Sequence, residues 1–252
     1  MLKFNYNGGL KLDNPYPING IDLIRIPLPD KVVLPMQQRI GNQAIPIVSV
    51  GEHVLTGQII ATIDDQRCAP VHASISGTVV AIDEHVYAHR SGLKGLCVTI
   101  ESDGKDEWVD TSIGCTERYE TCTANTIYNK IRVSGIVGMG GAGFPTHTKV
   151  RLAEGCHTLI VNATECEPGI TCDAALMEAY PTKVIRGIEV LLHICKAERA
   201  IIAIEDDKQD AIAALNKFCN NEDITIEVMP TKYTSGAEKL LLKYLLGIEV
   251  PT

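Results

Sequence analysis

The sequence predicts an α/β plus β protein, a β unit followed by an α/β domain, and three observations predict it. Between residues 31 and 82, short apolar runs are cut at close intervals by glycine and proline, which leaves helices no room. Beyond residue 126, short apolar runs alternate with longer stretches of helical period. Between these regions, residues 101–123 are polar and charged. We therefore expect a β-rich domain over 1–104, a linker over 105–125 and an α/β domain over 126–252 with a largely parallel sheet.

Each element follows from local pattern. In the first half the strand runs are Lys31-Val-Val-Leu34, Ile45-Pro-Ile-Val-Ser-Val50, Gln58-Ile-Ile-Ala-Thr-Ile63 and Gly77-Thr-Val-Val-Ala-Ile82. Residues 48–61 contain two β runs joined through glycines, and residues 69–82 repeat the scheme. In the second half, 126–133 has helical spacing, 158–162 reads as a short buried strand, and 174–195 is periodic for long enough to form a helix or two. A strand over 200–204, a helix over 209–218, a strand over 224–229 and a helix over 236–246 complete the alternation.

Composition excludes several function classes. With 252 residues, 45% of them hydrophobic, the chain can bury a real core and is not disordered as a whole. Lys and Arg total 23 against 31 Asp and Glu, and the basic residues do not cluster, so no nucleic-acid partner is expected. No run approaches the roughly 18 apolar residues of a membrane span, and residues 1–12 lack a signal-peptide layout, so a cytoplasmic protein is expected. The nine cysteines, at 68, 97, 115, 122, 156, 166, 172, 195 and 219, are never closer than six residues. That spacing excludes the C-x-x-C runs that bind zinc or iron–sulfur clusters, and the odd count predicts reduced thiols, most of them packed as small hydrophobes. Histidines 53, 72, 85 and 89 are irregularly spaced, which favours hydrogen-bonded or solvated side chains over a metal site.

Two segments carry chemistry. In Gly135-Ile-Val-Gly-Met-Gly-Gly-Ala-Gly-Phe-Pro-Thr146, Gly138, Gly140, Gly141 and Gly143 leave backbone N–H groups uncovered by any Cβ, so the chain can approach a phosphate or flat ring closely. Gly138, Gly140 and Gly143 also fit G-x-G-x-x-G. That dinucleotide fingerprint follows a strand, however, and the approach over 127–133 reads as a helix, so a plain Rossmann site is the weaker reading. In Thr158-Leu-Ile-Val-Asn-Ala-Thr-Glu-Cys-Glu-Pro-Gly169, an apolar strand ends in Asn162, Glu165 and Glu167. Ligand sites of open α/β sheets lie at such strand ends, where an amide can bond a ring edge or hydroxyl and a carboxylate can tune a ring or order a hydride donor.

The paired β runs of the first half resemble the barrel-sandwich hybrid of lipoyl and biotinyl carrier domains, over about fifty residues. A carrier displays a lysine at the turn between its halves, yet residues 57–77 hold no lysine and only Arg67 is basic, so this unit is expected to be scaffold or docking surface. The glycine loop with Lys149, followed by Asn162-Ala-x-Glu-x-Glu-Pro-Gly169, resembles the flavin-binding pattern of the NADH-oxidising subunit of respiratory complex I. It is more similar still to the RnfC family, the C subunits of Rnf electron-transport complexes, which the segment Pro70-Val-His-Ala-Ser-Ile-Ser-Gly77 also resembles.

That resemblance implies bound FMN, electrons taken from NADH and released singly, and onward transfer through iron–sulfur clusters to other subunits of a membrane-associated complex. By matching position it implies that Gly138, Gly140, Gly141 and Gly143 line the isoalloxazine and phosphate, that Lys149 offsets phosphate charge, and that Asn162, Glu165 and Glu167 face the ring or nicotinamide. Thr234-Ser-Gly-Ala-Glu-Lys239 resembles the family's Gly-Glu-Glu segment, with Ala237 replacing one acid and Glu238 left as its candidate. In the family, further flavin-site structure and a domain with two 4Fe-4S clusters follow a segment like Gly247-Ile-Glu-Val-Pro251; here they would lie beyond residue 252. Three other readings stand beside this one: a relative serving a soluble amino-acid reductase through thiols at Cys166 or Cys172, a non-enzymatic adaptor, and last a carrier.

Overall fold

The computed structural model describes residues 8–14, 16, 23–38, 42–62, 69–88, 92–110, 118–139 and 143–250. Expectations that fall on Arg67, Cys68, His89, Cys115, Gly140, Gly141 and residues 111–117 lie outside the described residues. The chain forms two compact units, Ile26–Ala153 and Met1–Arg25 with Glu154–Thr252.

The unit Ile26–Ala153 carries β1 (Lys31–Pro35), β2 (Ile45–Pro46), β3 (His53–Val54), β4 (Ile59–Thr62), β5 (Val71–His72), β6 (Gly77–Val86) and β7 (Lys94–Ser102). They form two antiparallel sheets, ordered β1-β7-β6-β3 and β2-β4-β5. Val79, Val98 and Ile100 from the first sheet meet Ile60, Ala61 and Val71 from the second, and Met36, Val48 and Ile75 close the core from the connections. Two small sheets sharing one core are the barrel-sandwich arrangement expected from the paired β runs. The expected strand over 45–50 contracts to β2, because the chain turns at Ser49, whose N–H donates to the Glu52 carboxylate (3.0 Å).

Strand β7 was not legible as a strand. It lies between β1 and β6, and Cys97, Val98, Thr99 and Ile100 are all buried, so it lacks the period-two alternation of a half-exposed strand. After β7 the chain folds back onto its own unit. Thr56 bridges Trp108, with Thr56 N–H donating to the Glu107 carbonyl (2.8 Å) and Val109 N–H to the Thr56 carbonyl (3.0 Å). The Asp103 carboxylate accepts from Lys105 N–H (2.9 Å), Ser76 Oγ (2.7 Å) and His53 Nε2 (2.9 Å). These donors, the Lys105 amide foremost, hold its pKa down to about 2. Residues 105–110 of the expected linker are thus hydrogen-bonded to the β unit. A 3-10 turn (Tyr119–Thr121), α1 (Ala124–Val133) and α2 (Thr146–Leu152) follow. Thr123 caps α1, its Oγ1 accepting from Thr126 N–H (3.2 Å).

The second unit carries β8 (Thr158–Ala163), α3 (Cys172–Ala179), α4 (Pro181–Cys195), β9 (Arg199–Glu205), α5 (Gln209–Phe218), β10 (Ile224–Met229) and α6 (Glu238–Leu246). The sheet is parallel, ordered β10-β9-β8, as the strand–helix alternation predicts. Central β9 is covered on both faces. Ala200, Ile202 and Ile204 pack with α3, α4 and α5, whereas Ile201 and Ala203 pack against Leu241, Tyr244 and Leu245 of α6. Each buried isoleucine contributes about 1.5–3 kcal/mol, which makes β9 the spine of this unit. The periodic stretch 174–195 divides at Pro181, which starts α4 and leaves Tyr180 non-helical (φ −133°, ψ 49°). No helix among the described residues is long and apolar enough to cross a membrane.

Candidate functional site

The parallel strands β8, β9 and β10 all end on one edge of their sheet, and the polar residues that follow them form a connected network. Glu165 lies just past β8 and is 6% exposed. Its Oε1 accepts from Asp173 N–H (2.7 Å) and Cys172 Sγ (3.3 Å), and its Oε2 from Ala174 N–H (2.9 Å). These amides open α3, where a helix has N–H groups without intrahelical partners and favours negative charge, so Glu165 caps that helix from another element. The Glu165 N–H in turn donates to Glu205 Oε2 (3.0 Å) at the end of β9, and Ser235 Oγ donates to Glu205 Oε1 (2.6 Å). Glu205 is fully buried, and that burial raises its pKa against the lowering effect of Ser235. One carboxylate therefore ties together the end of β8, the end of β9 and the loop that precedes α6.

A second set of bonds fixes the same loop. Asn162 Nδ2 donates to the Gly236 carbonyl (2.9 Å), while its Oδ1 accepts from Thr164 Oγ1 (2.6 Å). A Cβ at Gly236 would stand 2.5 Å from Thr164 Oγ1, so the close approach requires glycine. Asp206 Oδ1 accepts from Thr231 N–H (3.0 Å) and Oγ1 (2.7 Å), joining the ends of β9 and β10. Above this network lies a cleft of about 370 Å³. It is lined by Glu165, Cys166, Glu167 and Pro168 after β8, by Asp206 and Thr231 after β9 and β10, and by the amino-terminal Lys11, Leu12 and Asn14. Paired backbone bonds between Leu10 and Tyr233 (2.7 and 2.8 Å) hold the amino-terminal segment there.

The glycine loop belongs to the other unit. It runs from α1 to α2 rather than from a strand, so a plain Rossmann site remains the weaker reading. Its stem is a short antiparallel pair, Val137 with Pro145, with Gly138 N–H donating to the Phe144 carbonyl (2.9 Å) and Thr146 N–H to the Ile136 carbonyl (3.1 Å). Gly143 has φ +66°, a conformation that disfavours any side chain. Gly138 is exposed and a Cβ there would meet nothing nearer than 3.8 Å, so its open face is available to a ligand. Lys149, in the last turn of α2, is exposed.

Of the expected site residues, Asn162, Glu165 and Glu167 share one strand end, and Glu238 opens α6 just after the loop that Asn162 anchors. Glu167 and Glu238 are exposed, whereas Glu165 faces inward onto α3. Glu205, Asp206, Ser235 and the amino-terminal segment were not anticipated. The run Glu205-Asp206-Asp207-Lys208 directly after an apolar strand repeats the pattern that singled out Glu165 and Glu167, and it is the signal that points to them. The thiols divide. Cys97, Cys156, Cys166, Cys172, Cys195 and Cys219 are free, while Cys122 is disulfide-bonded with its partner outside the described residues, which corrects the expectation of reduced thiols at that position. Desolvation and the adjoining Glu165 carboxylate push the Cys172 thiol up, the opposite of what exchange through Cys172 requires.

Two domain families match the chain, and their bounds differ from those of the two compact units. The family described as the RnfC barrel sandwich hybrid domain matches residues 4–105, and that described as the Nuo51 FMN-binding domain matches residues 131–252. The chain is 44% identical to the C subunit of the ion-translocating oxidoreductase complex of Serratia proteamaculans, over 92% of this chain and 33% of that one. It is 40% identical to the protein of the same name from Vibrio cholerae serotype O1 (98% and 32%) and 43% identical to that of Pseudomonas aeruginosa (98% and 32%). The chain thus spans about a third of the length of these relatives. A solved NAD+-reducing NiFe-hydrogenase in its H2-reduced state is 26% identical, with a TM-score of 0.45, over 50% of this chain and 25% of that one. With the RnfC barrel sandwich hybrid domain followed by the Nuo51 FMN-binding domain, and 40–44% identity to these relatives over 92–98% of its length, the chain belongs to the RnfC family, that of the C subunits of ion-translocating oxidoreductase complexes.

Proposed function

We propose that this chain is the nucleotide-binding part of an electron-transfer subunit, holding FMN and receiving electrons from NADH on behalf of other subunits of a membrane-associated complex. The observation that carries the reading is the match of the FMN-binding family over residues 131–252, a range that includes both the open glycine loop and the carboxylate-edged strand end. The residues fit the group. Glycines at 138 and 143 leave amides bare for a phosphate or ring, and Lys149 lies on the helix that the loop enters. In the other unit, Glu167 and Glu238 present exposed carboxylates near a framework held by Asn162 and Glu205.

The residue roles rest on the motifs together with the burial of each side chain. Backbone amides of the loop bind the phosphate, with Gly140 and Gly141 assigned by the motif alone, and Lys149 neutralises its charge. Glu167 and Glu238 orient the nicotinamide and keep the strand end acidic, while Asn162 and Glu165 hold the backbone that presents them. Bound FMN supplies an acceptor for a hydride that can pass electrons on singly. Titration of the chain with FMN is expected to quench flavin fluorescence and raise the melting temperature, and Lys149→Ala is expected to weaken both effects. Absence of both quenching and stabilisation in the unmodified chain would refute the proposal. Anaerobic addition of NADH to the loaded chain then tests the electron donor by bleaching of the flavin band.

A further inference from the structure

We infer that His72 is a positioning residue for the glycine loop, fixing from the barrel-sandwich domain the point at which that loop leaves α1. The inference rests on the reading of the loop as the FMN cradle. Val71 and Ala73 are buried in the β core, so strand alternation turns His72 outward from β5. Its backbone is held by pairing with Ile59 and by Ala73 N–H donating to the Gln58 carbonyl (2.8 Å). The imidazole therefore stands on a rigid base.

The ring meets the carboxyl end of α1. A helix leaves its last four carbonyls without intrahelical partners, and here each of the four has a donor. Lys130 accepts from Ser134 N–H (2.9 Å), Arg132 from Gly135 N–H (3.0 Å) and Ile131 from Ile136 N–H (3.4 Å), the last two being the paired bonds of a Schellman ending. The Val133 carbonyl remains, and His72 Nε2 reaches it at 2.7 Å. A carbonyl only accepts, so Nε2 carries the hydrogen. A second contact locks the geometry. Gly135 has φ +68°, and a Cβ there would stand 2.7 Å from His72 Cε1 and 2.9 Å from Nδ1. The ring is thus both the cap of the helix and a wall against the first residue of the loop. From Gly135 the chain passes directly into the stem at Ile136, Val137 and Gly138, which carries the glycine tip. The domain that lacks a carrier lysine acquires a task in holding the nucleotide loop.

Four variants of the 252-residue chain test this. His72→Gln keeps an N–H close to the Nε2 position, His72→Phe keeps the ring without the donor, His72→Ala removes both, and Gly135→Ala drives a Cβ into the ring. In ligand-free protein, amide exchange at Gly135, Ile136 and Thr146 is expected to quicken about tenfold in the Phe and Ala variants and to stay near the parent rate in the Gln variant. Unaltered exchange across β9 confirms that the second unit is intact. FMN affinity is expected to fall about tenfold with Phe or Ala and to be rescued by Gln. Gly135→Ala is expected to bind more weakly still, with part of the loss recovered when His72→Ala is added. Unchanged loop exchange in His72→Ala, or equal loss in the Gln and Ala variants, overturns the inference. If the parent chain takes up no FMN, the cradle reading fails, and loop exchange still decides the role of His72.

Discussion

Replacing Glu165 by alanine removes the acceptor for two amides at the start of α3 and for a thiol. Asp173 N–H and Ala174 N–H donate to its two carboxylate oxygens at 2.7 and 2.9 Å, and Cys172 Sγ adds a weaker contact at 3.3 Å. Glu165 is only 6% exposed, so the stranded amides recover only part of the loss from solvent. A hydrogen bond to an ionised acceptor is worth about 1.5–3 kcal/mol, while loss of a helix cap costs about 0.5–2 kcal/mol. The two amides act on one group and do not simply add, which places Glu165→Ala at a loss of about 2–4 kcal/mol. Glu165→Gln keeps one carbonyl acceptor and is expected to cost about half as much. Urea unfolding followed by far-UV circular dichroism measures both, with a shifted midpoint at unchanged slope as the signature of lost native contacts. A midpoint for the alanine variant indistinguishable from that of the parent chain would refute the capping role. Loss of FMN binding at full stability would return Glu165 to the ligand-facing role that the motif implies.

Three further outcomes follow from the geometry. Gly77→Ala is expected to cost about 3 kcal/mol or more in thermal unfolding, because a Cβ there would land on the Glu101 carbonyl within the β6–β7 pairing. The Asp103 pKa is lowered on folding, from 3.8 to about 2, chiefly by the Lys105 amide, so its contribution is complete above 3.8 and is lost as pH falls through about 2. Asp103→Asn should flatten acid unfolding across that window, and an unchanged acid profile would contradict the assignment. Cys195 is pushed up to about 11 by burial and by neighbouring Cys156, so at pH 8 mass spectrometry should find it unalkylated in native protein and labelled only after unfolding.

Much of the fold was legible because its physics is local. Strand β9 is an apolar run bounded by charges, and α5 and α6 are amphipathic, so these elements announced themselves within a few residues, whereas the stretch 174–195 read as a helix or two and the structure divided it at Pro181. Strand β7 did not, since burial on both sides removes the alternation that marks a strand. The same contrast runs through the candidate site. The glycine loop and the Asn162–Glu167 tip were visible as motifs, because bare amides and clustered acids each have a composition.

What the chain's order of residues determined by itself was the fold class, β elements followed by α/β elements, the parallel sheet and the two motifs. Only the tertiary structure decided which way those side chains face. It turned Glu165 inward to cap α3, set Glu205 between three strand-end segments, and placed His72 on the end of α1. The partners in these contacts lie 9, 30 to 40 and 61 residues apart, and no local periodicity encodes a bond across the longer separations. A buried carboxylate or a helix-end carbonyl takes whichever donor packing brings within reach, so its role is a property of the folded neighbourhood rather than of its own stretch of chain.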